Sequence, residues 1–390
     1  MQRIDWDPHR VRAVIGQIVA ETEEHFASDQ YWPAHEMDTE GGDQQPLTPL
    51  YFGAIGVIWA LHYLRDVGAA SVARNYTPHL ERLRAANQRW LGEQYATSKA
   101  AYLMGDTPTL MMTYVQDLQN VTVGDELERL ILGNIDHPSR ELMWGAPGTM
   151  LAAWFLYERT RDERWAHGFR ASAERLWSQL RWSQDHGCQY WTQDLYGRQS
   201  TYLDAVHGFV ATASVLIRGH ELLDAARWTA WQECVINTIA RTATCRDGQV
   251  NWRAVLLAPA GGAGFLMQFC HGAPGFVICL GDLPDNELDT LLLTAGETVW
   301  AAGPLTKGSN LCHGTAGNGY AFLKLYRRTG EALWLDRARA FAMHAIAQTE
   351  ADRRRHSQGR YSLWTGDPGV AIYLWHCLKG TALFPTLDVF

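Results

Sequence analysis

No apolar run in this 390-residue chain is long enough to span a bilayer. Its first residues, Met1-Gln-Arg-Ile-Asp-Trp-Asp-Pro8, lack the apolar core of a signal peptide. Cationic excess is also missing. Thirty-four Lys and Arg against forty-two Asp and Glu give a net charge of −8, which argues against nucleic acid as the main partner. Cysteine is sparse and odd in number, seven spread widely, so no disulfide framework is in view. These absences predict a reducing, cytoplasmic setting and no membrane span. Charged residues make up only 19% and hydrophobic ones 47%, which excludes a disordered chain. The length suits one large core, and we read residues 1–390 as a single domain.

What the chain does have is one short pattern, repeated. A glycine turn running into an apolar stretch occurs at Gly53, Gly105, Gly145, Gly208, Gly272, Gly314 and Gly366, spaced 40 to 64 residues apart. Each interval accommodates a pair of helices with loops. The segments after the glycines are nearly uncharged, as in Gly369-Val-Ala-Ile-Tyr-Leu-Trp375, and belong inside. The intervening segments are amphipathic: 80–91, 125–132, 174–180, 224–241, 288–300 and 336–348, with a further helical stretch over 10–27. Seven inner and seven outer helices predict an all-α, closed α/α toroid with every glycine turn at one end. The only β-structure expected is a short hairpin near Arg246–Trp252.

Most glycine turns of this kind only pack, and what separates the seven is the residue before the glycine. These are Phe52, Met104, Trp144, His207, His271, His313 and Thr365. Two turns add cysteine: Gln268-Phe-Cys-His-Gly-Ala-Pro-Gly275 and Asn310-Leu-Cys-His-Gly-Thr-Ala-Gly-Asn318. Thiolate and imidazole are zinc ligands, and a catalytic zinc keeps three protein ligands and one open position. Cys270, Cys312 and His313 could form such a set; on spacing alone, two inert buried cysteines account for the pattern equally well. No close carboxylate pair sits in the turns, which speaks against a glycosidase.

The two Cys-His-Gly turns, with Leu311-Cys-His-Gly-Thr-Ala-Gly-Asn-Gly-Tyr-Ala-Phe-Leu323 as the longer, resemble the lanthionine synthetase C-like (LanC-like) family, and all seven glycine turns match in order and type. Lys307, Glu141 and the segment Tyr361-Ser-Leu-Trp-Thr-Gly366 with its Phe384-Pro385 tail bring it nearer the eukaryotic-type members than the lantibiotic cyclases. The cyclases carry an arginine where this chain has Leu266.

The resemblance implies an α/α toroid holding one zinc ion on Cys270, Cys312 and His313, with a thiol at the open position. The thiolate then adds to dehydroalanine or dehydrobutyrine in a peptide or protein and forms a thioether. In the eukaryotic-type proteins the implied thiol is glutathione; in the cyclases it is a cysteine of the same peptide. His207 matches the family's essential histidine and is expected to move the proton. His271 either does the same or orients a ligand. Glu141 either orients His207 or is a solvated charge. Lys307 either holds a substrate carboxylate or is an exposed loop lysine, and Arg3 is a further substrate-binding candidate. The competing readings are a lanthipeptide cyclase acting on a precursor peptide and a non-catalytic zinc- or glutathione-binding adaptor.

Overall fold

A computed structural model describes residues 4–39, 46–257 and 264–390. Fourteen α-helices occur among them, and they alternate between two layers. The inner layer is α2 (Ala54–Asp66), α4 (Thr107–Tyr114), α6 (Ala146–Thr160), α8 (Phe209–Arg218), α10 (Ala273–Leu280), α12 (Thr315–Thr329) and α14 (Asp367–Lys379). The outer layer is α1 (Pro8–Glu24), α3 (Leu80–Leu91), α5 (Val121–Gly133), α7 (Glu163–Ser178), α9 (Ala225–Thr242), α11 (Asp289–Ala302) and α13 (Ala332–His356). Each inner helix packs on the next, and α14 returns to α2, so the ring closes as an α/α toroid. The first helix, α1, packs on α14 and α13 and completes the outer layer. None of the described helices is long and apolar enough to cross a membrane.

The two layers start differently because their caps differ. Four of the seven outer helices use side chains: Asp7 accepts from His9 and Arg10 N–H, Asn120 from Val123, Asp162 from Arg164 and Asp224 from Arg227. Six inner helices start from a glycine with no side-chain cap. The freed N–H groups are satisfied by the loop that wraps the helix start. In α8, Phe209, Val210 and Ala211 N–H donate to the carbonyls of Tyr202, Leu203 and Asp204. That wrapping leaves no room for a side chain: a Cβ on Gly208 would lie 2.1 Å from Asp204 N. Gly272 has a second requirement, a φ of +111°. In α4 the cap is Asp106 rather than the glycine, so that helix begins one residue later than its siblings.

The turns are stitched to one another by backbone hydrogen bonds. Tyr51 N–H donates to Leu103 O, Leu103 to Met143, Leu142 to Val206, Cys270 to Cys312, Cys312 to Trp364 and Trp364 back to Tyr51. These bonds bridge six of the seven junctions between neighbouring turns at one end of the toroid, and the residue before each glycine is carried by the loops they tie.

Several boundaries differ from the expected ones. Outer helix α7 starts at Glu163, eleven residues before the expected 174, because Trp165, Phe169 and Ala173 extend its buried stripe. Likewise α13 runs from Ala332 to His356. The hairpin near residue 246 is present as β5 (Thr244–Arg246) with β6 (Gln249–Asn251). Two more hairpins were not expected: β1 (Arg181–Ser183) with β2 (Cys188–Tyr190), and β3 (Gln193–Leu195) with β4 (Arg198–Ser200). Their strands are three residues long, too short to show alternation.

The C-terminal segment enters the toroid. Phe384 stacks on Phe269 at 4.5 Å and meets Trp364 edge-on, and Tyr102 Oη donates to Thr386 O. Asp388 forms a buried ion cluster with Arg218 and Lys324, the latter at 2.8 Å.

Candidate active site

The fifth and sixth turns bring three ligand-type atoms together. Those of Cys270, Cys312 and His313 all lie within 4.8 Å of one another. Both cysteines are buried and His313 is half-buried. Adjacent residues such as Cys312 and His313 can face one point because neither is helical; α12 begins only at Thr315. Asn310 holds this turn, its side-chain oxygen accepting from His313 N–H at 2.9 Å. Cys270 Sγ lies 3.4 Å from His313 Nδ1 and accepts from Gln268 Nε2 at 2.9 Å. Cys312 Sγ accepts from Tyr51 Oη at 2.8 Å. Hydrogen bonding from Cys312, against burial and with help from His313, holds the Cys270 thiol well below its usual range. Burial and the neighbouring Cys270 push Cys312 well above it. The donor set, two thiols and an imidazole with hydrogen bonds aimed at both sulfurs, fits a zinc ion.

The fourth turn places His207 beside this set. Its Nδ1 is 2.8 Å from Glu141 Oε2. Glu141 is 0% exposed and is not a solvated helix-end charge. Its carboxylate accepts from Met143 N–H at 2.9 Å and Trp144 N–H at 2.6 Å, so one group caps the third turn and holds the histidine of the fourth. Burial works to lower the His207 pKa, but the Glu141 hydrogen bond and charge, helped by Asp204, carry it up to about 9.

The relationship is repeated one turn on. Asp204 Oδ1 accepts from Val206 N–H at 3.0 Å and His207 N–H at 2.7 Å. Its Oδ2 lies 2.9 Å from His271 Nδ1, an ion-pair distance without hydrogen-bond alignment. Burial opposes protonation of His271, and Asp204 outweighs it, so its pKa is raised. Asp204 was not singled out from the sequence. The signal was available, because Asp204 stands four residues before Gly208 as Glu141 stands four before Gly145. Tyr51 and Gln268 were also missed; no spacing marks a residue whose role is a bond to sulfur.

Lys307 is exposed, and its Nζ donates to Gln268 Oε1 at 2.7 Å, which leads to Cys270. It lines a cavity of about 630 Å³ that reaches His313 and Thr365. Arg353, Arg355, His356 and Arg360 share that lining. Arg360 pairs with Asp38, Arg353 with Glu21 and Asp367, and His356 with Glu36. Arg3 lies outside the described residues.

The model of the family "Lanthionine synthetase C-like protein" matches residues 34–389. The chain belongs to the lanthionine synthetase C-like family. Among curated proteins it is 36% identical over 121 residues to "LanC-like protein GCL1" of Arabidopsis thaliana, covering 28% of this chain. It is 34% identical over 129 residues to "Glutathione S-transferase LANCL1" of Danio rerio, covering 32% of this chain. The matches span 27% and 32% of those two relatives' lengths. Among solved structures, "Nisin cyclase" superposes with a TM-score of 0.58 at 15% identity, over 97% of this chain and 96% of that one, which is a likeness of fold.

Proposed function

We propose that this LanC-like protein adds a thiol, glutathione in the first instance, to dehydroalanine or dehydrobutyrine residues of peptides or proteins. The observation that carries the reading is the juxtaposition on neighbouring turns of the Cys270–Cys312–His313 set and the buried Glu141–His207 pair. Cys270, Cys312 and His313 would hold the zinc ion. Bound there, zinc supplies the Lewis acidity that keeps an incoming thiol deprotonated at neutral pH.

The rest falls to the chain's own side chains. Sulfur forms the new bond to the β-carbon of the dehydroamino acid, and the alkene electron pair moves toward the carbonyl as an enolate. His207 is protonated at neutral pH, and with Nδ1 held by Glu141 its proton donor toward substrate is Nε2. Nε2 delivers the proton to the α-carbon, which balances the proton given up by the thiol. Tyr51 and Gln268 fix the two cysteine sulfurs, and Asp204 sets its charge beside His271. Lys307, on the lining of the cavity that reaches His313, favours an anionic thiol such as glutathione over an uncharged one.

The test is incubation of the purified protein with glutathione and a synthetic dehydroalanine peptide, read by mass spectrometry. A glutathione adduct formed by the parent and not by His207→Ala supports the reading. Cyclisation of a peptide carrying its own cysteine, without any glutathione adduct, would instead make the protein a cyclase. Tight glutathione binding with neither product would make it an adaptor.

A further inference from the structure

Going round the ring of turns, the chemistry changes by sector. The sixth and seventh turns face the cavity that holds Lys307, and the fourth to sixth carry the histidines and cysteines. The third turn offers aromatic rings. Trp144, the residue before Gly145, is stacked on Tyr95 with centroids 5.0 Å apart. Tyr196 closes the group edge-on, at 6.2 Å from Trp144 and 6.3 Å from Tyr95, and its hydroxyl accepts from Trp144 Nε1 at 3.1 Å. The cluster is tied directly to the site, because Trp144 N–H donates to the same Glu141 carboxylate that holds His207.

Tyr196 is the informative member. It occupies the tip of the β3–β4 hairpin with φ +55°, followed by Gly197 at +73°. A two-residue turn with both φ positive takes Asn, Asp or Gly at its first position, and a bulky side chain there is strained. Tyr196 covers the buried Trp144, yet is itself 63% exposed. The hairpin is anchored behind the site: Asp194 N–H donates to Pro138 O at 3.0 Å, and an Arg140 guanidinium N–H donates to Thr192 O at 2.8 Å. An exposed ring is thus held in a costly backbone conformation, on a fixed hairpin, and is linked through Trp144 and Glu141 to the proposed proton donor. Such strain points to a task for the ring rather than for the fold.

We infer that the exposed ring of Tyr196, with the half-buried Tyr95 beside it and the buried Trp144 behind, forms a cradle for an apolar or aromatic side chain next to the dehydroamino acid of the acceptor peptide. The inference rests on the thiol-addition reading and assigns the two substrates to opposite sectors. The anionic thiol takes the side of Lys307, and the acceptor takes the side of the rings. Edge-on and stacked aromatic contacts then favour Phe, Tyr, Trp or Leu beside the reacting residue over Gly.

The experiment compares two acceptors with glutathione: acetyl-Phe-dehydroalanine-glycinamide and acetyl-Gly-dehydroalanine-glycinamide. The parent is expected to favour the Phe peptide about five- to tenfold in kcat/KM, the range of one aromatic contact. Tyr196→Asn suits the positive φ of the turn and removes the ring, so it keeps the hairpin; the preference should fall to within about twofold of parity. Trp182→Ser, on the separate β1–β2 hairpin, should keep the parental preference. A parent without preference, or Tyr196→Asn with its preference intact, overturns the inference. If neither peptide is modified at all, the thiol-addition reading fails on its own. Binding of the corresponding alanine peptides, followed by NMR, then decides: weaker binding of the Phe peptide to Tyr196→Asn supports the cradle, and equal or absent binding overturns it.

Discussion

His207 Nδ1 meets Glu141 Oε2 at 2.8 Å, and Glu141 has no solvent exposure. Burial alone would keep this imidazole neutral; the carboxylate reverses the balance and sets the pKa at about 9. His207 should therefore stay protonated through neutral pH, and the rate should fall as pH rises through about 9. Linkage has the same sign. The folded pKa lies above the unfolded value of 6.5, so the pair's contribution to stability is complete below pH 6.5 and lost on passing about 9. In Glu141→Gln burial acts with less opposition, and the alkaline limb of the pH–rate profile should move to lower pH by about two units. A limb that stays near 9 in the variant would remove Glu141 from this role.

Metal content gives a second test. The parent should carry one zinc per chain, and Cys312→Ala should retain less than about a tenth of that on a Cys270–His313 remnant. Tyr51→Phe deletes the hydrogen bond to Cys312 Sγ and keeps the ring against Trp364. Loss of such an outer partner typically lowers metal affinity about tenfold or more. Competition with a chromogenic chelator measures it; parental affinity in Tyr51→Phe would mean that the hydroxyl has no part in holding the sulfur.

Asp204 links two turns, and Asp204→Asn separates its two duties. The amide oxygen can still accept from Val206 and His207 N–H, so the turn should survive. The charge facing His271 is lost. We expect kcat to fall about tenfold or more, with thermal unfolding shifted little. If Asp204 acts through His271, the double variant Asp204→Asn/His271→Ala should lose little beyond His271→Ala alone. Full additivity of the two losses would assign Asp204 to the fold.

The fold was legible because its rule is local. Each inner helix needs a glycine where a loop wraps its first turn, and that glycine is visible in the chain, as at Gly208 and Gly314. Outer boundaries were less legible: the polar residues that start α7 and α13 do not separate a helix end from a loop. In the site, Cys270, Cys312, His313 and His207 stood out by residue type and place, and Glu141 by its match to a family position. Asp204 did not, although it stands before Gly208 as Glu141 stands before Gly145. Tyr196 was invisible for another reason. Its importance lies in a backbone angle and in two rings from distant segments, Tyr95 and Trp144, which no spacing brings together.

Lys307 tests the choice of thiol. It lines the cavity, and its hydrogen-bond partner among the described residues, Gln268, is neutral. Lys307→Ala should raise KM for glutathione about tenfold and leave KM for uncharged 2-mercaptoethanol within about twofold. An equal rise for both thiols would place the lysine in the support of Gln268 and Cys270 instead. No rise for either would remove it from the site.

The C-terminal tail supplies the last prediction. Asp388 is buried between Arg218 and Lys324, and those charges overcome burial to hold its pKa at about 2. Its folded value lies below the usual carboxylate value of 3.8, so its contribution is complete above about pH 4 and lost as pH falls through 2. Asp388→Asn leaves two buried cations less compensated; Lys324 keeps Asp282 at 2.5 Å, which limits the damage. The expected cost is about 3 kcal/mol in urea unfolding, toward the lower end for a broken buried pair. The loss should also reach the site. Asp388 Oδ2 accepts from Phe384 N–H, and Phe384 packs under Phe269 and Trp364. Phe269 precedes Cys270, and the Trp364 carbonyl accepts from Cys312 N–H at 2.9 Å. A loosened tail therefore removes the floor beneath both cysteine turns. Asp388→Asn should bind zinc measurably more weakly than the parent at neutral pH, although the substituted residue touches none of the three ligands. Parental zinc affinity combined with the expected loss of stability would show that the ring of backbone hydrogen bonds holds the turns without help from the tail.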